Sequence, residues 1–370
     1  MTTKVIFHQS LLAAVLLAST FASNAGGIVG NATENDLRTA LVGGGNVTFS
    51  VSGTIVLTSP IVITNATTID GSGQGVTISG GNAVRIFQVN TNVQFSLINL
   101  TVANGRTNQG AVIYNAGGSV LVSNCFVVGN QARGTDGVSG LSGGPGSPAA
   151  GGAIYNLGSL TLLDSFFGGN SASGGNGGSA AFTAGGSGAE GAGGVIYSLG
   201  GVAMTNCTFS GNNAFGGNGG SGASNSGPGG NGNAFGGVLY SQNVSILASN
   251  CTYSTNAAIA GTSPGSKSGS YRGTGRGGVI YNTSGTVSIA ASSFSYNTSS
   301  GSPSSGGGVH HGGGSLNISS TLFAFNIAAA DRTTLGITGA GSTGLGGGIF
   351  NAGNATLSDC TLSNNSVSAP

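Results

Sequence analysis

The sequence predicts an all-β chain wound into a parallel β-helix solenoid, with a short N-terminal helical cap and Gly-rich loop insertions. Three observations carry that prediction. Glycine accounts for 75 of 370 residues, whereas Lys and Arg number 9 and Asp and Glu 8. Such a composition lowers helix propensity heavily and leaves helix surfaces without their charged coat. The hydrophobic share of 38% is too high for a disordered chain, and no strict three-residue glycine period runs through the sequence as collagen requires. Most informative is a repeat: the segment GGAIYNLGSLTLLDSFFGGN at 151–170 recurs through the second two-thirds of the chain. A unit of this size cannot bury an apolar face alone, so its copies must stack into one continuous core.

The elements follow in chain order. In residues 1–25, Lys4 precedes the apolar run LLAAVLLASTFA, and small residues follow at Ser23 and Ala25. That pattern predicts a secretory signal peptide cleaved after Ala25, hence a secreted, extracellular or cell-surface protein. Cleavage removes Lys4 and His8 and leaves 8 basic and 8 acidic residues, a net charge of zero. A neutral chain offers nucleic acid no electrostatic footprint, so no nucleic-acid partner is expected. No later apolar stretch reaches about 18 residues, so no transmembrane segment is expected after signal removal.

Residues 26–110 are read as an N-terminal cap and the first coils. TENDLRTAL (33–41) places Leu37, Ala40 and Leu41 on one face behind an acidic first turn, a helical plug over the exposed end of the first coil. Strands are expected at 47–51, 54–57, 61–64, 67–70, 76–79, 85–89 and, as one run, 94–103.

Residues 111–370 are read as repeat coils with Gly-rich inserts. Seven copies open on AVIYN (111–115), AIYN (153–156), VIYS (195–198), VLYS (238–241), VIYN (279–282), GVHH (308–311) and GIFN (348–351). They close on Asn130, Asn170, Asn212, Asn256, Asn297, Asn326 and Asn365, with Asn104 an earlier relative. These asparagines are expected to form a ladder at a turn. Apolar residues ten, eight and three positions before each Asn, such as Leu316, Ile318 and Phe323, alternate onto one inward face. Five positions before it stand Cys125, Ser165, Cys207, Cys251, Ser292, Thr321 and Cys360. All four cysteines thus share one inward column, where small buried thiols pack as apolar groups. Free thiols are expected, and Cys207 with Cys251, in adjacent coils, is the one pair placed to bridge. Inserts at 131–150, 171–192, 213–235, 257–276, 298–305 and 327–345 all leave the coil at one angular position. The composition of 217–233 reads as flexible linker.

The stretch GTIVLTSPIVITNATTIDGSGQGVTISGG (53–81) resembles the first coils of right-handed parallel β-helix proteins of the pectin-lyase-like group. Residues 111–370 resemble the repeats of chlamydial polymorphic outer-membrane proteins, with paired GGA[ILV] and FxxN motifs. Here these are GGAI at 151–154 with FGGN at 167–170, GGVI at 193–196 with FSGN at 209–212, and GGVI at 277–280 with FSYN at 294–297. The resemblance implies a right-handed parallel β-helix of secreted or surface type, structural or adhesive. In the pectin-lyase-like group it implies, alternatively, a polysaccharide lyase or glycoside hydrolase. After Asn365 the sequence ends in SVSAP, and no membrane β-barrel of the autotransporter kind is expected within it.

Candidate chemistry is sparse. The mature acids are Glu34, Asp36, Asp70, Asp136, Asp164, Glu190, Asp331 and Asp359, and apart from Glu34 and Asp36 none are neighbours. Asp164 and Asp359 share a column but lie about 24 Å apart at the strand spacing, too far for a glycosidase pair. The paired-acid motifs of polygalacturonases are absent. His310 and His311 are flanked by glycine runs that supply no further ligand, so neither a metal nor a cofactor is expected. The tyrosine column is the candidate ligand-binding feature: Tyr114, Tyr155, Tyr197, Tyr240 and Tyr281, continued by His310 and Phe350, each follow an inward aliphatic residue and so face outward. Such a ladder either stacks on itself or offers aromatic faces to sugar rings. The sequence therefore leads to a non-catalytic β-helix protein, structural or adhesive, whose expected partners are glycans or cell-surface components.

Overall fold

The computed structural model describes residues 26–223, 226–263, 272–330 and 343–368. The signal-peptide segment and Asp331 lie outside the described residues. Thr33 caps the helix α1 (Glu34–Ala40): its side chain accepts from the Asp36 N–H at 3.2 Å. Arg38 closes an i,i+4 pair with Glu34 at 2.6 Å, and Leu37 and Ala40 are buried against the first coil. The expected plug is therefore present.

Beyond it the chain is a parallel β-helix. One full coil runs through Ile113–Asn115, Ser119–Ser123, Phe126–Val128, Gln131–Arg133 and Ala149–Ala150; we call the sheets built from these strands I to V. Among the described residues they hold 9, 11, 10, 8 and 6 strands, all parallel and each one coil from its neighbour. Register is kept without slip, because the period-two burial pattern of most strands, such as Ser119–Ser123 and Ser159–Leu163, would invert on a one-residue shift. Tyr114, Tyr155, Tyr197, Tyr240, Tyr281, His310 and Phe350 accordingly pair in succession across sheet I.

Three corners per coil need left-handed backbone; the earlier coils supply Asn, Asp or Gly, which tolerate it, whereas Thr255, Ala291, Tyr296, Ser320 and Phe325 adopt it in the later ones. Between sheets II and III stand Asn124, Asp164, Asn206 and Asn250, with φ between 48 and 55°. Between III and IV stand Gly129, Gly169 and Gly211, and between V and I the first glycine of each Gly-Gly pair, Gly151, Gly193, Gly236 and Gly277. This explains why the expected strand 94–103 is two strands, Gln94–Ile98 and Thr101–Ala103: Asn99 adopts φ 54° and turns the corner. Asn104 is likewise a corner residue with φ 55°. Gly105 takes the ladder position instead, its N–H donating to Asn130 Oδ1 at 2.8 Å.

The interior is a set of ladders. Asn130, Asn170, Asn212, Asn256, Asn297 and Asn326 are fully buried. Each Nδ2 donates to Oδ1 of the next coil's asparagine at 2.8–3.0 Å, ending on Asn365. The column three before each Asn stacks Phe167, Phe209, Tyr253, Phe294 and Phe323 at 4.4–5.1 Å between centroids. The cysteine column points inward as expected; all four thiols are free, and only Cys360, in the last coil, is partly exposed.

The Gly-rich inserts differ from the sequence expectation. Residues 217–223 and 226–233, read as flexible linker, belong to an ordered array. The outgoing legs bond laterally at every third residue: Gly134, Gly137 and Gly140 N–H donate to the carbonyls of Ser173, Asn176 and Ser179 at 2.7–3.0 Å. Gly174, Gly177 and Ala180 repeat the pattern on Phe215, Asn218 and Ser221. The returning legs do likewise, Gly185, Gly188 and Gly191 donating to Gly227, Gly230 and Asn233. Cross-bonds such as Gly217 N–H to Ala189 O and Gly220 N–H to Gly186 O, both 2.8 Å, join the two layers. A bonding period of three without ladders inside a leg is that of polyproline-II-type chains. Glycine is required between the layers because a Cβ on Gly186 would sit 1.8 Å from Gly144 O. Composition alone does not separate a linker from such an array; the phase of the glycines does.

A groove beside the tyrosine ladder

Sheet V follows the returning legs and adjoins sheet I across the Gly-Gly corner, beside the tyrosine column, and a cavity lined by Tyr281, His310 and Phe350 opens at the C-terminal end of that strip. The aliphatic residue before each is fully buried, as in Ile154, Ile196 and Leu239, while Tyr114, Tyr155, Tyr197, Tyr240 and Tyr281 are half-buried. The first four rings are nearly parallel, with centroids 5.2, 4.9 and 4.6 Å apart. Tyr240 and Tyr281 follow at 5.4 Å, and His310 and Phe350 complete the column at 5.0 and 4.6 Å. Arg85 covers the first ring at 4.9 Å, its guanidinium held by the Gly110 and Gln109 carbonyls. Phe235, from sheet V, stacks on Tyr281 at 4.7 Å.

Ring faces are thus occupied by other rings, and what the column turns to solvent is a row of edges and phenol groups at coil spacing. Burial raises the Tyr155, Tyr197 and Tyr240 pKa values, and neighbouring phenols add to the effect. The hydroxyls remain protonated donors through the physiological range. Glu190, at the end of a returning leg, faces Tyr197 and Tyr240; burial holds its pKa above the usual carboxylate range.

The other titratable groups are placed elsewhere. Asp70 makes a turn with the Ser72 N–H and hydroxyl. Burial opposes its ionisation, but these bonds and the Asn99 amide hold its pKa below the usual range. Asp164 accepts from Asn206 Nδ2 at 2.9 Å on an outer corner. His311 is buried inside the solenoid, with Nδ1 3.0 Å from Asn282 Nδ2. Among the described residues, no three or more His, Cys, Asp or Glu side chains come together in a geometry able to hold a metal ion.

Sequence reasoning did not find a second concavity. The outer face of sheet II forms an open trough of about 820 Å³ around Thr161, Leu163, Ala203, Thr205, Leu247 and Ser249, without a titratable group in its lining. Its signal was the alternate set of strand positions, small or aliphatic where a solvated face would carry charge.

Among the described residues no helix is long and apolar enough to cross a membrane. Compared with models of known protein families, with curated proteins and with solved structures, the chain matches none. Fold and site together define a parallel β-helix solenoid with a half-buried aromatic column running beside sheet V and the polyglycine array.

Proposed function

We propose that this protein is a secreted or cell-surface, non-catalytic rod of structural or adhesive role that binds glycan chains along the tyrosine groove. In its motifs it resembles the pectin-lyase-like β-helices and the chlamydial polymorphic outer-membrane repeats. The observation that carries the reading is the in-register phenol row, Tyr114 to Tyr281, repeating at 4.6–5.4 Å between centroids. Because successive coils lie about 4.8 Å apart, a linear polymer laid along the rod meets the same donor and the same aromatic edge at each step. A rigid wall that needs no ordering on binding favours the complex further.

The test is the triple change Tyr155→Phe, Tyr197→Phe and Tyr240→Phe. It keeps the stacked rings and deletes only hydroxyls, so stability should hold while retention on a glycan array falls. Equal retention by wild type and variant would discard the groove as the binding surface. A second reading, a polysaccharide lyase or glycoside hydrolase, is favoured by Glu190 alone, a carboxyl whose raised pKa suits a general acid. Release of new reducing or unsaturated ends by the purified protein, abolished by Glu190→Gln, would select that reading.

A further inference from the structure

We propose that the C-terminal end of the groove is a site for a single oxyanion, a carboxylate or a sulfate ester, received by Arg276 with Ser305, His310 and Thr283 around it. This rests on the reading of the groove as a binding surface and adds the class of group it selects. In sheet V, Arg276 pairs with Phe235 on one side and Ser305 on the other. Phe235 fills its stretch of groove by stacking on Tyr281. Ser305 is too small to do so, and a cavity of about 400 Å³ opens there, lined by Arg276, Tyr281, Thr283, Ser305, His310 and Phe350 among others.

The polar groups of this cavity are left incomplete by the protein. Arg38, Arg85 and Arg133 each bond a carboxylate or carbonyl. Arg276, half-buried as a residue, has a guanidinium that makes no ion pair or hydrogen bond among the described residues, and no described acid lines the cavity. Thr283 Oγ1 is buried without a partner. The hydroxyl withdrawn from water in this way carries a desolvation cost that a bound acceptor would offset, and the unpaired cation beside it favours a negative one.

His310 is buried between the Tyr281 and Phe350 rings, with Nδ1 2.8 Å from Ser305 Oγ. Burial first, then the Arg276 charge and His311, depress its pKa to about 3, so the ring is neutral at physiological pH. In either tautomer the pair keeps one donor to offer: Nε2–H if the serine donates, the serine O–H if Nδ1–H donates. Arg276 supplies the charge, and these donors and Thr283 are placed around the same space. Glu190 lies two coils back, about 10 Å along the rod. When ionised it repels a second negative group, so the groove takes an anion at one position rather than a uniformly charged polymer.

The experiment uses the full protein, wild type and Arg276→Gln, with β-1,4-glucan hexamers that are neutral, carboxymethylated at one end or sulfated at one end. Binding is read by calorimetry. Acetate and sulfate are titrated in parallel while the His310 ring resonances are followed by NMR. A charge-assisted pair at this site should make at least one anionic hexamer bind about tenfold tighter than the neutral one. Arg276→Gln should remove that difference between anionic and neutral hexamers. Preference for the carboxymethylated or the sulfated hexamer identifies the source of the oxyanion. An anionic preference that is absent, or that survives in Arg276→Gln, overturns the site. If no hexamer binds, the groove reading has failed; a saturable, Arg276-dependent shift of His310 by acetate or sulfate would still sustain the anion site, and its absence would overturn it too.

Discussion

Gly220→Ala tests the polyglycine array directly. The new Cβ would lie 2.0 Å from Gly178 O and 2.5 Å from its carbon. The leg must therefore move away by about 1 Å, and packed backbone has no slack to absorb it. That motion pulls on three bonds, each 2.8 Å: the lateral pairs Gly177 N–H to Asn218 O and Ala180 N–H to Ser221 O, and the cross-bond Gly220 N–H to Gly186 O. At about 1 kcal/mol net each, less about 0.5–1 kcal/mol gained from a stiffer unfolded chain, the cost is about 2 kcal/mol. Because the solenoid core is untouched, the loss should appear as local opening rather than as a lower global stability. Hydrogen exchange of 174–190 and 216–223 should quicken by about 30-fold. Gly230→Ala is the matched control, since its Cβ meets only the Ser187 hydroxyl, at 3.3 Å. Fast exchange of these segments in the wild type, or equal behaviour of the two variants, would refute the array and restore the flexible linker.

Asn212→Ala deletes the bonds to Asn256 Oδ1 and Phe167 O and strands the donors of Asn170. With a buried unpaired group costing about 1–3 kcal/mol, a loss of about 3–5 kcal/mol is expected in denaturant unfolding; a loss under about 1 kcal/mol would show that the ladder is ornamental. Thiol labelling of the native protein should reach the partly exposed Cys360 first and leave Cys125, whose pKa burial raises to about 11, unmodified until unfolding. Mass spectrometry that finds a Cys207–Cys251 disulfide in the native protein would contradict the free-thiol column. For pH, His310 binds its proton less readily folded, at about 3, than unfolded, at 6.5. Its contribution is therefore complete above the unfolded value and is lost as pH falls through this window. Glu190 has the opposite sense for an acid: its raised pKa costs stability as pH rises past the unfolded value of 4.5, so Glu190→Gln should stabilise the protein at pH 7. A flat stability profile in both windows would mean that these groups are hydrated.

Much of the fold was legible because solenoid columns are redundant. Seven aligned copies fixed the inward face, the cysteine column and the asparagine ladder, and Asn130 to Asn326 lie where the spacing put them. What was missed shares one cause, that the decisive quantity was the phase of glycine and Asx rather than their number. Asn99 and Asn104 read as strand and ladder residues, but left-handed backbone makes them corners. Residues 217–233 read as a linker because period three is visible only when the legs are set side by side. The tyrosine column was found from the alternation, yet the self-stacking that occupies its faces depends on distances of 4.6–5.2 Å that no pattern of letters states.

Where the repeat is kept and where it is broken then becomes an argument about function. The inward columns stay within one class each, apolar from Val127 through Phe167 to Leu362 and polar from Asn115 through Ser198 to His311, because each must stack on its neighbours a strand spacing away. Sheet V is not held to this: the equivalent positions are Ala150, Ala192, Phe235, Arg276, Ser305 and Leu345. These span no side chain of length, a ring, a cation and a hydroxyl, so no common packing demand selects them. His310 interrupts the tyrosine series one coil beyond Arg276, and Glu190 is the acid set against it. All of these exceptions fall on one strip, the corner between sheets V and I. The other corners of the same coils repeat Asn, Asp or Gly in the earlier coils, and Thr255, Ala291, Tyr296, Ser320 and Phe325 take over in the later ones without bringing in a charge. A solenoid needs no ionisable variety along a surface that only stacks, and this strip brings a cation, an acid and an imidazole within three coils of one another.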